Sequence, residues 1–247
     1  MGAYVSTFFL MQFDLPFMVI AAIVMGMTGI FSLIVSFAAV KLNDNYFILG
    51  SLGFLMIAYT ILYNWTDVTF SPYGIPRIKI LRLWDISGVW GYFVLTILLS
   101  ADVIWFFRRI KNFPYGRVLK AMRSDELSVK ALGRNTVKFK SWDFFLSAAL
   151  SCLTGLIYTS YVSYIDSTSF TLDESIFIIS ALFIGGVGNI KGPIVGAAFV
   201  VLLPEILRFI GMPDAIAANM RQIIYGLTLV LVMYFSPKGL WGEFVMK

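Results

Sequence analysis

The chain has 247 residues, of which 59% are hydrophobic and only 13% charged, whereas a typical soluble domain carries about 25% charged residues. Its apolar residues form long uninterrupted runs, so the sequence excludes an ordinary soluble globular protein. It contains no histidine and one cysteine, Cys152, inside such a run. These counts remove the usual haem ligand, the usual neutral-pH proton carrier and any disulfide framework. We therefore expect neither a metal site nor a bound cofactor.

Seven apolar stretches predict membrane-spanning helices, because a span needs about 20 mostly apolar residues. Four of them are long and continuous: Leu15–Val40, Phe47–Trp65, Ile86–Phe107 and Phe144–Ile165. Three more are shorter, or are interrupted by glycine, proline or charge: Ser175–Ile190, Gly192–Ile210 and Ile223–Phe235. The predicted fold is an all-α, polytopic membrane helix bundle of about seven spans, forming one transmembrane domain over residues 1–247.

One acidic residue, Asp102, lies within the third predicted span, near its basic end. An acid at the centre of a membrane helix costs about 2.5–3.5 kcal/mol, so such residues are candidates for function. Asp102 lies close enough to the end of the span to reach the interface or to pair with Arg108 or Arg109. Both the functional and the structural interpretation remain open at this point.

Most of the positive charge lies in one segment. Between Arg108 and Lys140 there are 10 of the 19 basic residues, opposed only by Asp125 and Glu126. Because loops rich in Lys and Arg stay in the cytoplasm, this loop and the C-terminus are predicted to be cytoplasmic, and the acidic segment 166–174 extracytoplasmic. The loop 66–85 also falls outside, although it carries three bases. A basic cluster can also bind nucleic acid or anionic lipid; in a loop between two spans we expect membrane lipid and no nucleic acid.

Helix signals divide the basic loop into two short helices. Residues Gly116–Arg123 form the first, and Ser124 is predicted to cap the second, whose first turn holds Asp125 and Glu126. Gly133 then ends it with a left-handed conformation. Such a pair is either an amphipathic element lying on anionic lipid or a coupling element that inserts into a partner protein.

A glycine-rich stretch separates the fifth and sixth predicted spans. Gly188, Gly192 and Gly196 are spaced by four, which places them on one helix face and allows another backbone to approach closely. Broken backbone at membrane depth is tolerated only against protein or a water-filled path. The stretch therefore predicts two short helices packed against a translocation route or, equally well, a tight cytoplasmic turn between two ordinary spans. The residues concerned are Gly185, Gly186, Gly188, Asn189, Gly192, Pro193 and Gly196.

Several motifs together resemble one family. The run Gly116–Gly133, with its Gly-Arg, Lys-Ala-Met-Arg, Asp-Glu and Lys-Ala-Leu-Gly pieces, is similar to the cytoplasmic loop of branched-chain amino acid ABC importer permeases of the LivM type. Further segments resemble motifs of the same family: Asn45–Phe47 followed by Gly50–Leu55, Ser71–Pro76, Ile184–Gly196 and Ser236–Leu240. The resemblance covers nearly the whole chain. Family members usually begin with two or so further spans, so we expect an N-terminal portion to be missing here.

The resemblance implies a permease subunit that forms the path for branched-chain amino acids or similar small polar solutes and has no ATP site of its own. The implied partners are two ABC ATP-binding subunits, a second related permease subunit and an extracytoplasmic solute-binding protein. It also implies a multi-pass protein of the plasma or inner membrane whose loop 108–140 contacts the ATP-binding subunit. The implied coupling residues are Gly116, Arg117, Arg123, Asp125, Glu126, Ala131 and Gly133.

Two other classes of protein compete with this interpretation. An ion-coupled secondary transporter of small solutes would account for Asp102 and the glycine-rich break, but it does not need a long docking loop. A membrane-embedded lipid-modifying enzyme would need a histidine base, a metal cluster or paired carboxylates, and the sequence provides none of them. We therefore expect that the protein is not an enzyme.

Overall fold

A computed structural model of the chain describes residues 1–13, 15–40, 42, 44–70, 73–76, 78 and 88–209, together with 223, 226, 227, 230, 232 and 234. These residues are largely helical. In chain order the helices are α1 (Gly2–Gln12), α2 (Phe17–Ala39), α3 (Asp44–Asn64), α4 (Thr66–Thr69), α5 (Val89–Asn112), α6 (Pro114–Ser124), α7 (Glu126–Ala131), α8 (Thr136–Val162), α9 (Leu172–Gly185) and α10 (Lys191–Phe209). The other elements are the short strands β1 (Ile75–Pro76) and β2 (Tyr164–Ile165) and a 3₁₀ turn, Ser167–Phe170.

The predicted helical membrane fold is confirmed. Among the described residues, five segments are long and apolar enough to cross a membrane by length and composition: α2, Tyr46–Asn64 within α3, α5, α8, and Ser167–Gly185, which includes α9. α10 corresponds to the sixth predicted span, although its apolar part, Lys191–Leu202, is shorter. Of the thirteen residues of the seventh prediction, Ile223–Phe235, six are described, and these six are helical. Seven is therefore an approximate count.

Two spans extend further into the basic segment than their apolar runs predict. α5 continues to Asn112 rather than ending at Phe107, and α8 begins at Thr136 rather than Phe144. An apolar run marks the part of a helix that suits hydrocarbon, whereas the helix itself continues until its backbone is capped. At the start of α8 the cap is Asn135, whose side-chain oxygen accepts a hydrogen bond from the Lys138 backbone N–H at 3.2 Å.

The first of two compact units, Met1–Phe170, packs around α8. α1 runs parallel to α8, because Ala3 lies against Gly155 and the Ser6 hydroxyl lies 3.3 Å from that of Thr159. α2 runs antiparallel to it, with Ser36 hydrogen-bonded to Ser141 at 3.0 Å near the start of α8. Helices in lipid gain little from the hydrophobic effect, so small residues and interhelical hydroxyl bonds hold such contacts together.

The end of α8 is tied to a loop that lies far away in the sequence. β2, directly after α8, pairs antiparallel with β1, so that Ile75 faces Ile165. Both isoleucines are buried. Gly74 has a φ of +73°, and a Cβ at this position would lie 2.6 Å from the Ile165 carbonyl oxygen, so glycine is needed for this close approach. The loops on either side, predicted to share the outer face of the membrane, therefore meet at one end of α8. The sequence analysis did not anticipate these strands.

The second unit, Thr171–Lys247, contains α9 and α10. α9 begins at Leu172 and carries Asp173 and Glu174 in its first turn, where carboxylates suit the positive end of the helix dipole. It ends before Gly186, whose φ of +100° is incompatible with a right-handed helix. α9 thus begins three residues before the predicted start, Ser175, and ends five residues before the predicted end, Ile190.

The arrangement of unit 1 predicts which positions share a side of the membrane. In a background with Cys152→Ala, single cysteines at Tyr73 and Thr168 should react alike with a membrane-impermeant thiol reagent, because β1–β2 pairing places both at the same end of α8. A cysteine at Ser124 should show the opposite accessibility. The measurement compares labelling in intact cells and in inverted vesicles. Labelling of Ser124 together with Tyr73 from one side would contradict the arrangement.

Candidate functional site

The candidate site is the predicted coupling segment, residues 113–135, which joins α5 to α8. Pro114 occupies the first position of α6, where its missing N–H is not needed. Gly116 is buried, and a Cβ on it would overlap the Ile110 carbonyl oxygen, so this glycine allows α6 to fold back against the end of α5. The Arg109 guanidinium lies over the Phe113 ring, 5.3 Å from its centroid, and adds a cation–π contact at the same corner.

The segment breaks where the sequence predicts, but the predicted cap residue is wrong. Ser124 is the last residue of α6, and Asp125 caps α7 instead. Its carboxylate accepts hydrogen bonds from the backbone N–H groups of Leu127 at 2.9 Å and Ser128 at 3.2 Å, and also from the Ser128 hydroxyl. These bonds, the Ser128 hydroxyl first, lower the pKa of Asp125. A carboxylate can accept several hydrogen bonds at once, so Asp125 is a better cap at this position than the Ser124 hydroxyl.

The end of α7 has the geometry that the sequence predicts for Gly133. The residue has a φ of +75°. Its N–H bonds to the Lys130 carbonyl at 2.9 Å, and the N–H of Arg134 bonds to the Val129 carbonyl at 3.3 Å. This pair of bonds defines a Schellman motif, in which a left-handed residue ends the helix. A Cβ at Gly133 would meet no atom within 4 Å, so glycine is favoured here for its backbone conformation and not for space.

Glu126 has three partners among the residues that the structure describes. Its carboxylate accepts hydrogen bonds from Lys140 at 2.6 Å and from the Thr136 hydroxyl at 2.9 Å, and it lies 3.0 Å from the Lys130 ammonium. The hydrogen bond from Lys140 is the largest influence on this carboxyl and lowers its pKa to about 2. The resemblance implied that Glu126 contacts a partner, but its carboxylate is already engaged with α7 and α8.

The outward side of the coupling segment is apolar and basic. Met122 and Val129 are buried, whereas Leu127 and Leu132 have exposed fractions of 75% and 80%. Five of the predicted coupling residues are also exposed: Arg117, Arg123, Asp125, Ala131 and Gly133. Leucine side chains this exposed, in a connecting segment rather than a span, are candidates for a contact with lipid or with another protein. The sequence analysis named neither leucine as a contact residue, although both lie within three residues of Val129 in a short amphipathic segment.

The glycine-rich stretch forms a tight helical hairpin. Gly185 on α9 and Gly192 on α10 are so close that a Cβ on either would overlap backbone of the other helix or its connection. A Cβ on Gly196 would overlap the Ala181 carbonyl oxygen. The small residues Ala181 and Gly185 thus face Gly192 and Gly196, each pair spaced by four, as close helix contacts in membranes require.

The spacing predicted that Gly188 shares this face, but it does not. It lies in the connection, with a φ of +103°, because α9 has already ended at Gly185 and α10 begins only at Lys191. In the same connection the Asn189 side-chain oxygen accepts a hydrogen bond from the Lys191 N–H at 3.4 Å. Pro193 lies in the first turn of α10, where a missing N–H leaves no helical bond unmade. Gly186 and Gly188 therefore supply the turn, and Gly185, Gly192 and Gly196 supply the close contact.

Asp102 lies apart from both features. It is exposed on α5, one to two turns before Arg108. Within the described part of the chain, no ion pair joins it to another residue. The part of the chain that the structure describes therefore gives Asp102 no salt-bridge partner in the coupling segment or elsewhere.

Most of the chain is similar to one family of known proteins. The family model described as "Branched-chain amino acid transport system / permease component" matches residues 1–233. The chain belongs to this family. With its apolar helices, it is a multi-pass membrane protein of a family of transporter permeases.

Individual relatives share about a quarter to a third of their aligned residues with this chain. The probable branched-chain amino acid transport permease protein LivM of Methanocaldococcus jannaschii is 30% identical, and the match covers 82% of this chain and 61% of that protein. The high-affinity branched-chain amino acid transport system permease protein LivM of Escherichia coli K12 is 25% identical, with 97% and 60% covered. The autoinducer 2 import system permease protein LsrC of Escherichia coli O157:H7 is 26% identical, with 92% and 65% covered.

The chain thus spans about three fifths of the length of the curated relatives that it matches. No solved structure matches it.

The hairpin contact predicts a contrast between two glycines. Gly196→Ala should lower the apparent melting temperature in detergent, because its Cβ would overlap backbone, and overpacking costs about 1–3 kcal/mol. Gly26→Ala is the matched control, since a Cβ at this position in α2 meets nothing within 4 Å. Alanine is the better helix former, so this control should leave the melting temperature unchanged or raise it. Equal effects of the two substitutions, measured at one heating rate, would refute the close contact.

Proposed function

We propose that this chain is a membrane-spanning permease subunit of an ABC importer, in which separate ATP-binding subunits drive the movement of a small polar solute. Membership of the permease family and the names of its relatives support this function. Those relatives are named for branched-chain amino acids and for autoinducer 2. Branched-chain amino acids are the proposed solute class because the family description and two of the three relatives specify them.

The observation that carries the proposal is the surface of the coupling segment. A capped helix, α7, is held between a break at Asp125 and a left-handed turn at Gly133, and it presents Leu127 and Leu132 outwards. A connection between two spans needs neither this order nor exposed leucines. An apolar helix that docks into a groove of another protein needs both. We assign this groove to the ATP-binding subunit.

The proposed assembly contains two ATP-binding subunits on the cytoplasmic side, a second related permease subunit and an extracytoplasmic solute-binding protein. The excess of bases in the segment 108–140 supports a cytoplasmic location for it, which would place the β1–β2 end outside. α3 and α5 expose most of their apolar side chains, including Leu49 and Trp90. Lipid and the second permease subunit are the proposed cover for these surfaces.

We further propose that the α9–α10 hairpin packs beside the solute path. Its connection, with Gly186, Gly188 and Asn189, is the irregular backbone that a membrane tolerates only against protein or water. The chain itself would carry out no covalent chemistry. An ion-coupled transporter, in contrast, would rely on the intramembrane acid Asp102 and would leave the exposed Leu127 and Leu132 without a role.

Reconstitution tests the proposed function directly. Proteoliposomes that contain the chain, the second permease subunit and the two ATP-binding subunits should accumulate labelled leucine when binding protein is added outside and ATP is enclosed. Omitting ATP should abolish uptake, and dissipating ion gradients should not. Uptake driven by an ion gradient without ATP would support a secondary transporter instead, and ATP-dependent uptake of another solute would correct the solute class.

Gly133 provides a sharper test of coupling. Gly133→Val should reduce ATP-dependent uptake by about tenfold or more, because a left-handed conformation costs a residue with a Cβ about 1–2 kcal/mol and a β-branched residue still more. Gly133→Asn is the matched control, since asparagine tolerates this conformation and the site has room for its side chain. It should retain most of the uptake. Equal uptake by the valine variant and the wild type would show that the Gly133 turn has no part in coupling.

A further inference from the structure

Glu126 differs from its neighbours in the direction of its contacts. Leu127 is 75% exposed, whereas the Glu126 side chain is 30% exposed and engaged by Lys130, Thr136 and Lys140. Adjacent residues of a helix point about 100° apart. One side of α7 therefore faces outwards, and the side that carries Glu126 faces the start of α8.

The contacts of Glu126 join two helices. Lys130 belongs to α7 and lies one turn further along it, at the i,i+4 spacing of a helical ion pair. Thr136 and Lys140 belong to the first turns of α8, and Thr136 is only 1% exposed. Charge-assisted hydrogen bonds such as that from Lys140 are stronger than neutral ones. The carboxylate thus bridges α7 and α8 across the turn at Gly133.

Without this bridge, the connection between α7 and α8 would consist of a short turn. The Schellman motif at Gly133 ends α7, and Asn135 starts a new helix two residues later. On its other side, α7 is separated from α6 by the extended residue Asp125, with a φ of −156°. In this helix of six residues, Val129 is buried, so its packing and the Glu126 bridge together fix the direction of α7.

We propose that Glu126 is a positioning residue that fastens α7 to the first turns of α8, so that a displacement of α7 by the ATP-binding subunit moves α8 instead of bending the turn at Gly133. The inference rests on the proposed function, since it takes α7 as the docking helix. It differs from the role implied by the family resemblance: Leu127 and Leu132 make the contact with the partner, and Glu126 does not.

Hydrogen exchange of the full chain in lipid nanodiscs, with no partner present, tests the bridge itself. Glu126→Gln and Lys140→Gln should each speed the exchange of α7 amides by about threefold to tenfold, the range expected when a partly exposed charged hydrogen bond is lost. Lys138→Gln is the matched control: it removes a similar charge from the same turn of α8, at an exposed position, and should change exchange less than about twofold.

Two further variants show whether the effect belongs to the pair. The double variant Glu126→Gln/Lys140→Gln should exchange no faster than the more strongly affected single variant, because coupled residues are not additive. The exchanged pair Glu126→Lys/Lys140→Glu should restore part of the protection. Additive effects, or exchange in Lys140→Gln that equals the wild type, would overturn the bridge. The exchanged pair also keeps the test decisive if a single variant folds poorly.

The assembled complex tests the role in coupling. Glu126→Gln should leave the affinity for the ATP-binding subunits within about twofold of the wild type but lower the leucine transported for each ATP hydrolysed. Leu127→Ala should instead lower the affinity. A loss of affinity in Glu126→Gln as large as that in Leu127→Ala, with unchanged exchange in the isolated chain, would make Glu126 a contact residue and overturn the proposal. If the wild type binds no ATP-binding subunit, the proposed function fails, while the exchange data still decide whether Glu126 joins α7 to α8.

Discussion

The close fit of α8 against α1 and α2 is the contact on which the rest of unit 1 depends. In lipid, two apolar surfaces gain little by leaving the solvent, so helices associate where their backbones can approach and their hydroxyls can bond. Gly155 allows Ala3 to lie against α8. The α8 hydroxyls of Ser141 and Thr159 lie within hydrogen-bonding distance of hydroxyls on α2 and α1. Leu156, between them, is completely buried.

Because α8 is held along its length, it links the coupling segment to the β1–β2 pair. Its 27 residues span about 40 Å at 1.5 Å per residue. At one end Asn135 and Glu126 tie it to the coupling segment, and at the other β2 ties it to β1. A helix fixed at both ends can transmit a displacement only if its joints do not bend, and this requirement gives the proposed bridge of Glu126 its function.

Glycine serves two different physical purposes in this chain. At Gly133 and Gly186 it supplies a backbone conformation that other residues adopt only at a cost. At Gly185, Gly192 and Gly196 it supplies space, because any Cβ would overlap neighbouring backbone. The two purposes predict different substitutions: asparagine is tolerated at a position of the first kind with room for its side chain, such as Gly133, and no larger residue is tolerated at the second kind.

Local chemistry allowed the sequence alone to predict the helical membrane fold, the break in the basic segment and the left-handed end at Gly133, since each depends on residues within a few positions of one another. The predicted cap of α7 was wrong by one residue, because Ser124 and Asp125 are both good cap residues and only the backbone path selects between them. The bonds from Glu126 to Thr136 and Lys140 on α8, the pairing of β1 with β2 and the position of Gly188 off the helix face were decided by tertiary structure. The Glu126 bonds and the strand pairing join groups on separate elements, which local sequence patterns do not predict. Gly188 lies off the helix face because α9 has already ended at Gly185, and helical spacing does not apply beyond the end of a helix.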